Sequence, residues 1–327
     1  MSIKIIKQGV QTTLQDTGRH GFRAIGIGTG GAADSFAMQT ANHLAGNDDN
    51  MAVMEINFPA PEILFQQQAI ISLTGANLTA TINDTIIPLW KPFLIKKDEL
   101  LHFKKPEWGA RAYLAVQGGW RSEKWLNSYS THLKVGAGGH LGRALQKDDV
   151  IVFNDFNFSL NENKALPWHI SHKELDKIYQ PQHTIRCVKS IEWEWLTPAA
   201  QLEIVRSLFN ISGQSDRMGY RLNGTALNML KQTSIISSAV DAGTIQLLPD
   251  GQLIVLMADC QTTGGYPRIA SVIQADLPKL AQLNAGQSFN FTIVTIKEAE
   301  AALIRMNKIV SEIKISCQLN FEKYFQQ

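Results

Sequence analysis

Short apolar segments, each ended by a turn signal, fill residues 53 to 117 and most constrain how this chain can fold. Pro59, Gly75 and the pair Asn83-Asp84 are among the residues that separate them. Strands that recur at this regular spacing are typical of a β-barrel or β-sandwich, and not of a sheet whose strands alternate with helices. The predicted strands are Val53–Phe58, Glu62–Phe65, Ile70–Thr74, Leu78–Ile82, Ile86–Trp90, Phe93–Ile95, Glu99–Phe103 and Ala110–Gln117.

The second half of the chain carries the same kind of pattern. Val240–Leu248 and Leu253–Ala258 are predicted strands around the turn Pro249-Asp250-Gly251. Asp34 is placed to cap a short helix, and Glu298–Ile313 has the apolar periodicity of an amphipathic helix near the C-terminus. The sequence therefore predicts a mainly β protein with a few short helices and a C-terminal helix.

The length of 327 residues suggests two domains. Residues 154–180 are polar and have no clear periodicity, which favours a linker. We therefore predict an N-terminal domain over residues 1–153, a linker over 154–180 and a C-terminal domain over 181–327. The segments Asp16–Arg23 and Asp216–Arg221 share an acid, an arginine and a Gly-aromatic-Arg ending, so the two domains are candidates for duplicated barrels.

The net charge and the cysteines limit which partners, metal sites and cell compartments the sequence predicts. The 31 basic and 29 acidic side chains give a net charge of +2, so we expect neither a nucleic acid nor a membrane as partner. No stretch reaches the ~18 apolar residues of a membrane span. Cys187, Cys260 and Cys317 match neither a disulfide framework nor a metal-binding spacing. We therefore predict no metal site and a cytoplasmic location.

One stretch near the end of the second half is dense in hydrogen-bond donors. Gln261, Thr262, Thr263, Tyr266 and Arg268 surround the pair Gly264-Gly265 directly after an apolar strand. Adjacent glycines let backbone N–H groups approach a ligand that a Cβ would push away. Such a set is suited to holding an anion or a developing oxyanion. The alternative is a tight turn whose polar groups cap one another.

Other polar clusters lie where predicted strands meet loops. They are Arg19–Arg23, Ser130-Thr131, Ser215–Arg221 and the residues from Gln246 to Asp250. Arginine binds carboxylates and phosphates in a bidentate way, and glycine exposes backbone N–H groups beside it. A loop-bracing role for each single arginine remains the alternative.

At these residues the chain resembles a known family. SDRMGYRL at 215–222, GTIQLLPDG at 243–251 and QTTGGYPRIA at 261–270 are similar to the signatures of the allophanate hydrolase subunit 2 family. That family includes the C subunit of 5-oxoprolinase and the carboxyltransferase part of urea carboxylase. Motifs of the first half, such as QTTLQDTGRHGFR at 11–23 and SYSTHLKVGAGGHLGRAL at 128–145, agree in the family's order. The resemblance covers roughly residues 5–295.

The resemblance implies two tandem cyclophilin-like β-barrel domains and a subunit of an ATP-dependent 5-oxoprolinase. That enzyme, a hydrolase of a cyclic amide, opens 5-oxo-L-proline to L-glutamate. The implied partners are a companion subunit 1-type protein, similar to the B subunit of 5-oxoprolinase, and a third protein similar to its A subunit. ATP would bind in the complex, with the partner interface as a candidate place, and the chain would be inactive without its partners. This chain has no Met-Lys-Met segment for biotin attachment.

Two other functions remain open at this point. One is a biotin-dependent carboxyltransferase that acts on urea or a related amide. The other is a regulatory binding protein that antagonises a companion kinase-inhibitor subunit.

The resemblance also implies roles for the residues of the matching motifs. Arg217 and Arg268 would hold carboxylate or phosphate, with Asp216 orienting Arg217, and the Thr-Thr-Gly-Gly turn would donate to the oxyanion. Because Arg217 lies in a polar segment, we expect it in an exposed loop, and its replacement by alanine should abolish turnover while leaving the melting temperature nearly unchanged. The predicted catalytic residues are Arg217, Gln261, Thr262, Thr263 and Tyr266, and the predicted substrate-binding residues are Asp216, Tyr220, Gln246, Gly264, Gly265, Arg268, Ser130 and Thr131.

Overall fold

The structure, a computed structural model, describes residues 1–154, 164–180, 183–230 and 235–325. The chain divides into two compact units. The first unit comprises Met1–Arg19, Gly30–His172 and Lys308–Gln327, and the second comprises His20–Thr29 and Lys173–Asn307. This division differs from the predicted boundaries in three ways. A short N-terminal segment belongs to the second unit, and the end of the chain belongs to the first. The predicted linker, residues 154–180, is divided between the two units after His172, and its residues 155–163 lie outside the described residues.

In the first unit the described strands form two six-stranded sheets, where the resemblance implied a barrel. The strands are β1 Ser2–Lys7, β2 Thr12–Gln15, β3 Val53–Asn57, β4 Glu62–Phe65, β5 Ala69–Asn77, β6 Ala80–Ile82, β7 Thr85–Ile86, β8 Pro92–Ile95, β9 Glu99–Phe103, β10 Trp108–Val116, β11 Val150–Val152 and β12 Lys164–Ala165. One sheet has the order β11-β1-β4-β9-β6-β7 and the other β12-β8-β5-β10-β3-β2.

The core of the first unit follows from strand alternation. Ile3 and Ile5 are fully buried while Lys4 between them is not, because successive side chains of a strand point to opposite faces. Helix α1 (Ser35–Leu44) is capped as predicted, with the Asp34 carboxylate accepting the Ala37 N–H at 2.9 Å. Thr74 of β5 donates its hydroxyl to the Ala37 carbonyl at 2.7 Å, which ties the helix to the sheet.

The second unit contains a closed seven-stranded barrel, which confirms the predicted barrel in this half. Its strand order is β13-β20-β17-β18-β15-β14-β21. A small sheet of β16 and β19 lies outside the barrel. The strands are β13 Thr184–Lys189, β14 Phe209–Ile211, β15 Gly219–Asn223, β16 Ser238–Ala239, β17 Thr244–Leu247, β18 Leu253–Leu256, β19 Thr263–Gly264, β20 Arg268–Val272 and β21 Ser288–Ile293.

The turn predicted at Pro249-Asp250-Gly251 joins β17 to β18. The Gly251 N–H donates to the Leu248 carbonyl at 2.9 Å, and Gly251 has a φ of +81° that suits glycine. The remaining helices are α2 His172–Tyr179, α3 Pro198–Arg206, α4 Leu277–Ala281 and α5 Ile296–Phe325. No described helix has the length and apolar character needed to cross a membrane.

The C-terminal helix α5 extends twelve residues beyond its predicted end at Ile313. In the added part Cys317 is buried and the Phe321 ring lies edge-on to Trp168, with ring centroids 5.0 Å apart. Gly46 packs close to this side of the helix, since a Cβ there would lie 3.1 Å from the Phe321 ring, tighter than an ordinary van der Waals contact. Tertiary packing therefore sets the length of the helix.

A buried histidine makes the first unit sensitive to acid. His43 lies 2.5 Å from a carboxylate oxygen of Asp49, which also pairs with Lys314 at 2.7 Å. Burial lowers the pKa of His43. Between that pKa and the ordinary value near 6.5, the unfolded chain binds more protons than the folded chain, so stability falls as the pH falls.

We expect His43→Gln to remove part of this pH dependence. The free energy of unfolding, measured with denaturant at pH 7.5 and 5.5, should drop less in the variant than in the wild type. His169→Gln, at an exposed histidine, is the matched control and should behave as the wild type does. A drop equal in all three proteins would contradict the assignment.

Candidate functional site

A cavity of about 460 Å³ opens in the second unit beside the barrel. Its walls come from β15, β17 and β18, from the turn before β15 and from the segment after β18. Its volume lies in the range of small-molecule sites. The lining residues are Gln214, Asp216, Met218, Gly219, Arg221, Gln246, Leu248, Pro249, Asp250, Ile254, Leu256, Gln261 and Tyr266.

The barrel strands place a row of side chains across the cavity. Arg221 of β15 and Gln246 of β17 both lie opposite Ile254 of β18, which is between them. Because side chains alternate along a strand, Tyr220 and Leu222 are buried while Arg221 is exposed. The row therefore carries a guanidinium at one end and a carboxamide at the other.

Arg217 is buried, so the expectation of an exposed loop residue is wrong. Its side chain is only 4% exposed and binds Asp259 at two points, with Nε to Oδ2 at 2.7 Å and Nη2 to Oδ1 at 3.0 Å. The backbone adds to this pair, since the Asp259 N–H donates to the Arg217 carbonyl at 2.8 Å. Arg217 thus fastens the turn before β15 to the segment after β18.

Asp216 lines the cavity and caps the same turn. Its Oδ1 accepts the backbone N–H groups of Met218 at 2.8 Å and Gly219 at 3.2 Å. From the sequence we predicted that Asp216 orients Arg217, and this role stays a prediction. The carboxylate that the structure places on the Arg217 guanidinium is that of Asp259, which the sequence did not indicate.

Arg268 also forms an ion pair with a carboxylate, that of Glu192. Its Nη2 lies 2.8 Å from Glu192 Oε1 and its Nε lies 3.2 Å from Oε2, while Nη1 donates to the Ala239 carbonyl at 3.2 Å. The hydrogen bond to Glu192 raises the pKa of Arg268. Arg268 does not line the cavity; it connects β20 to Glu192 and to β16.

Arg221 is the cation that the cavity presents. Within the described residues its guanidinium has no ion pair and no hydrogen bond, and the side chain is exposed at the cavity wall. Its backbone N–H is held by the Ser215 hydroxyl at 3.1 Å. Arg221 and Asp250 belong to polar clusters of the sequence but were not among the predicted site residues, although the alternation of β15 after the buried Tyr220 could have indicated the outward orientation of Arg221. Gln214 was missed.

The Gln261–Arg268 stretch was predicted either to hold an anion or to form a self-capped turn. Its centre is paired within the protein, and its two ends face the cavity. Its centre pairs with β16, as Gly264 lies opposite Ser238 and Thr263 opposite Ala239. A Cβ on Gly264 would lie 2.6 Å from the Gln246 amide nitrogen, which itself donates to the Tyr266 carbonyl at 3.3 Å. Gln261 and Tyr266, at the two ends, line the cavity. Thr262, Thr263, Gly264 and Gly265 are not among its lining residues.

Three other predicted positions are buried. Tyr220 is a core residue of the second unit. Ser130 and Thr131 belong to the first unit and are fully buried, with the Ser130 hydroxyl donating to Asp16 at 2.6 Å and the Thr131 hydroxyl donating to the Leu14 carbonyl at 3.0 Å. These bonds brace the start of the chain against the loop that follows β10.

Neither a reactive cysteine nor a cluster of metal-binding side chains is found among the described residues. Burial raises the pKa of the Cys260 thiol to about 12, so the thiol is protonated near neutral pH and is a poor nucleophile. Among the described ranges, no three His, Cys, Asp or Glu side chains are grouped as metal ligands.

The two neighbouring arginines give opposite predictions for stability. Arg217→Met leaves Asp259 buried without its partner, and we expect a loss of about 3–5 kcal/mol in the free energy of unfolding. Arg221→Met removes an exposed, unpaired cation and should change it by about 0.5 kcal/mol or less. Urea denaturation of both variants and the wild type measures the difference. Equal effects of the two substitutions would contradict the assignment of roles.

The chain matches a known protein-family model over residues 25–293, described as carboxyltransferase domain, subdomain A and B. It is 38% identical to the C subunit of 5-oxoprolinase from Escherichia coli K12 over 300 residues, which is 91% of this chain and 93% of that protein. It is 35% identical to the same subunit from Haemophilus influenzae, over 94% of this chain and 96% of that protein.

More distant relatives are larger proteins. Urea amidolyase of Saccharomyces cerevisiae is 27% identical over 92% of this chain, a match that covers 17% of that protein. The crystal structure of Kluyveromyces lactis urea carboxylase shares the fold, with a TM-score of 0.86 and 24% identity over 95% of this chain and 29% of that one. The resemblance drawn from the motifs is confirmed. The family model matches residues 25–293, and two relatives above 30% identity align with this chain over almost their whole length. The chain therefore belongs to the carboxyltransferase domain family, subdomain A and B.

Proposed function

We propose that this chain is a subunit of an ATP-dependent 5-oxoprolinase and that Arg221 binds the carboxylate of 5-oxo-L-proline. Two relatives that align along almost their whole length are named as the C subunit of 5-oxoprolinase, which supports the enzyme class. The observation that carries the site is the exposed, unpaired guanidinium of Arg221 at the wall of a 460 Å³ cavity. A guanidinium binds a carboxylate through two parallel hydrogen bonds.

The other polar groups of the cavity suit the rest of the substrate. 5-Oxoproline is a five-membered lactam with one N–H donor and one carbonyl acceptor besides its carboxylate. The carboxamides of Gln246 and Gln261 and the phenol of Tyr266 are donors for the lactam oxygen. Asp216 and Asp250 are acceptors for the lactam N–H. The cavity thus has a counterpart for each polar group of the substrate.

The chemistry to be supported is the opening of an unreactive amide. Transfer of the ATP γ-phosphoryl group to the lactam oxygen forms an O–P bond, releases ADP and makes the ring carbon electrophilic. Water then adds to that carbon, and release of phosphate and cleavage of the C–N bond give L-glutamate. Neutral donors around the oxygen stabilise the charge that develops there, without a nucleophile from this chain.

Turnover in this proposal requires companion subunits. The relatives are named as one subunit of an enzyme, and the two partners expected from the family, similar to the A and B subunits of 5-oxoprolinase, would complete the active complex. ATP would bind where a partner adjoins this chain, and the complex would be cytoplasmic. Arg217 and Arg268 then act as positioning residues, because each holds a cavity-forming segment through a carboxylate.

A biotin-dependent carboxyltransferase is the second candidate, supported by the match to urea amidolyase over 92% of this chain. The carboxyl donor would be carboxybiotin on another protein. Urea has no carboxylate, so in this function Arg221 would bind the carboxyl group of carboxybiotin and not the small substrate. An Arg221 variant would then leave the KM for urea unchanged, whereas in the first candidate it raises the KM for 5-oxo-L-proline.

Replacing Arg221 should weaken substrate binding without unfolding the chain. In the complex reconstituted from purified subunits, we expect Arg221→Met to raise the KM for 5-oxo-L-proline about tenfold to a hundredfold, since a charge-assisted hydrogen bond contributes about 1.5–3 kcal/mol. Arg221→Lys should recover part of the loss, because it keeps the charge but not the bidentate geometry.

Arg206→Met, at an exposed arginine of α3, is the matched control and should keep the wild-type KM. A wild-type complex whose ATP hydrolysis is not stimulated by 5-oxo-L-proline would reject the enzyme function. An unchanged KM in an active Arg221→Met complex would reject the site.

A further inference from the structure

The glycine-rich loop of the first unit forms the wall of a second cavity, of about 450 Å³, which the proposed function does not use. One side is Ser122–Trp125 and the other is the loop GAGGHLG at residues 136–142.

Several residues of the loop have a positive φ, and three of its glycines pack too closely against neighbouring atoms to allow a Cβ. Gly138, Gly139, Leu141 and Gly142 have φ values of +70°, +57°, +54° and +67°. A Cβ on Gly139 would lie 1.9 Å from the Thr131 hydroxyl, and one on Gly142 would lie 2.0 Å from the Gly136 carbonyl oxygen. The Gly142 N–H donates to the Gly138 carbonyl at 2.9 Å and closes the turn. The conformation is therefore built into the fold.

This conformation leaves a run of backbone donors unpaired. In the part of the chain that the structure describes, the N–H groups of Gly138, Gly139, His140 and Leu141 donate to no protein acceptor. Gly139 is also buried, and buried N–H groups without a partner are rare in folded proteins. Successive N–H groups of a turn with left-handed φ values form a concave surface for an anion.

The side chains around the loop set the electrostatics. Lys124 supplies a cation at the rim, 4.9 Å from the centre of the Tyr129 ring, and Glu123 supplies an anion beside it. Behind the Trp125 wall the buried Arg19 guanidinium stacks 4.7 Å from the ring centre. His140 is neutral near pH 7, because burial lowers its pKa, although Asp149 lies 3.6 Å away. Short-range N–H donors, and not a strong surface potential, would select the ligand.

We propose that this loop binds a small oxyanion, a carboxylate or a phosphate, on the N–H groups of Gly138, Gly139, His140 and Leu141. The site lies within the first unit and is independent of the proposed reaction. A carboxylate and a phosphate present the same acceptor oxygens to the loop, so titration with each distinguishes the two sources.

The direct test is an NMR titration of the deuterated, ¹⁵N-labelled chain with sodium phosphate and, separately, with sodium acetate. Ionic strength is kept constant with sodium chloride. We expect the amide protons of residues 138 to 141 to move downfield and to saturate, and the anion with the lower dissociation constant identifies the natural class. The proposal fails if these four amides do not move, or if they move no more than the amides of the exposed Lys134 and Lys147.

Two matched lysine variants distinguish a specific site from general attraction to a basic surface. Lys124→Met, at the cavity rim, should weaken binding of the preferred anion at least threefold, whereas Lys134→Met, in the same loop region but outside the cavity, should leave it unchanged. Both side chains are exposed, so both variants should fold. Equal weakening by the two substitutions would overturn the proposal. Leu141→Gly keeps the N–H group and should retain binding.

Discussion

The buried ion pair between Arg217 and Asp259 holds the candidate site of the second unit together. Both side chains are almost fully removed from water, so each depends on the other to offset the cost of desolvation. The pair joins the turn that begins β15 to the segment that leaves β18, and the backbone bond from Asp259 to the Arg217 carbonyl makes the same connection. These two segments form the cavity wall from which Arg221 projects. Arg217 and Arg221, which are close in sequence, therefore have different roles. Arg217 is structural, and Arg221 is available to a ligand.

Most of the arginines around the candidate site of the second unit are held in ion pairs with carboxylates. Arg268 is held by Glu192, and Arg23, in the N-terminal segment that belongs to this unit, pairs with Asp241 and the Val240 carbonyl. Each of these pairs fixes a strand or loop near the Gln261–Arg268 stretch. Arg221 faces the cavity without such a partner among the described residues. A carboxylate that enters the cavity thus meets a guanidinium whose hydrogen-bonding capacity is not already used within the described chain.

The sequence predicted those features that depend on local pattern. Strand alternation, the Asp34 cap and the Pro249-Asp250-Gly251 turn depend on residues a few positions apart, and the structure confirms them. The burial of Arg217 and the commitment of Arg268 depend on carboxylates 42 and 76 residues away, which no local pattern indicates. The length of α5 was underestimated for a different reason, since Cys317 and Phe321 continue the helical spacing of Ile313 and the local pattern could have indicated the longer helix. Of the predicted site residues, Asp216, Gln246, Gln261 and Tyr266 line the cavity.

In the proposed site, Arg221 alone of Arg217, Arg221 and Arg268 is available to the substrate. Modification with phenylglyoxal, followed by peptide mass spectrometry, measures the reactivity of each guanidinium in the folded chain, with and without 5-oxo-L-proline. We predict that Arg221 reacts much faster than Arg217 and Arg268, and that 5-oxo-L-proline slows its reaction. If Arg217 or Arg268 reacted as fast as Arg221, or if 5-oxo-L-proline protected either of them and not Arg221, the claim would be contradicted.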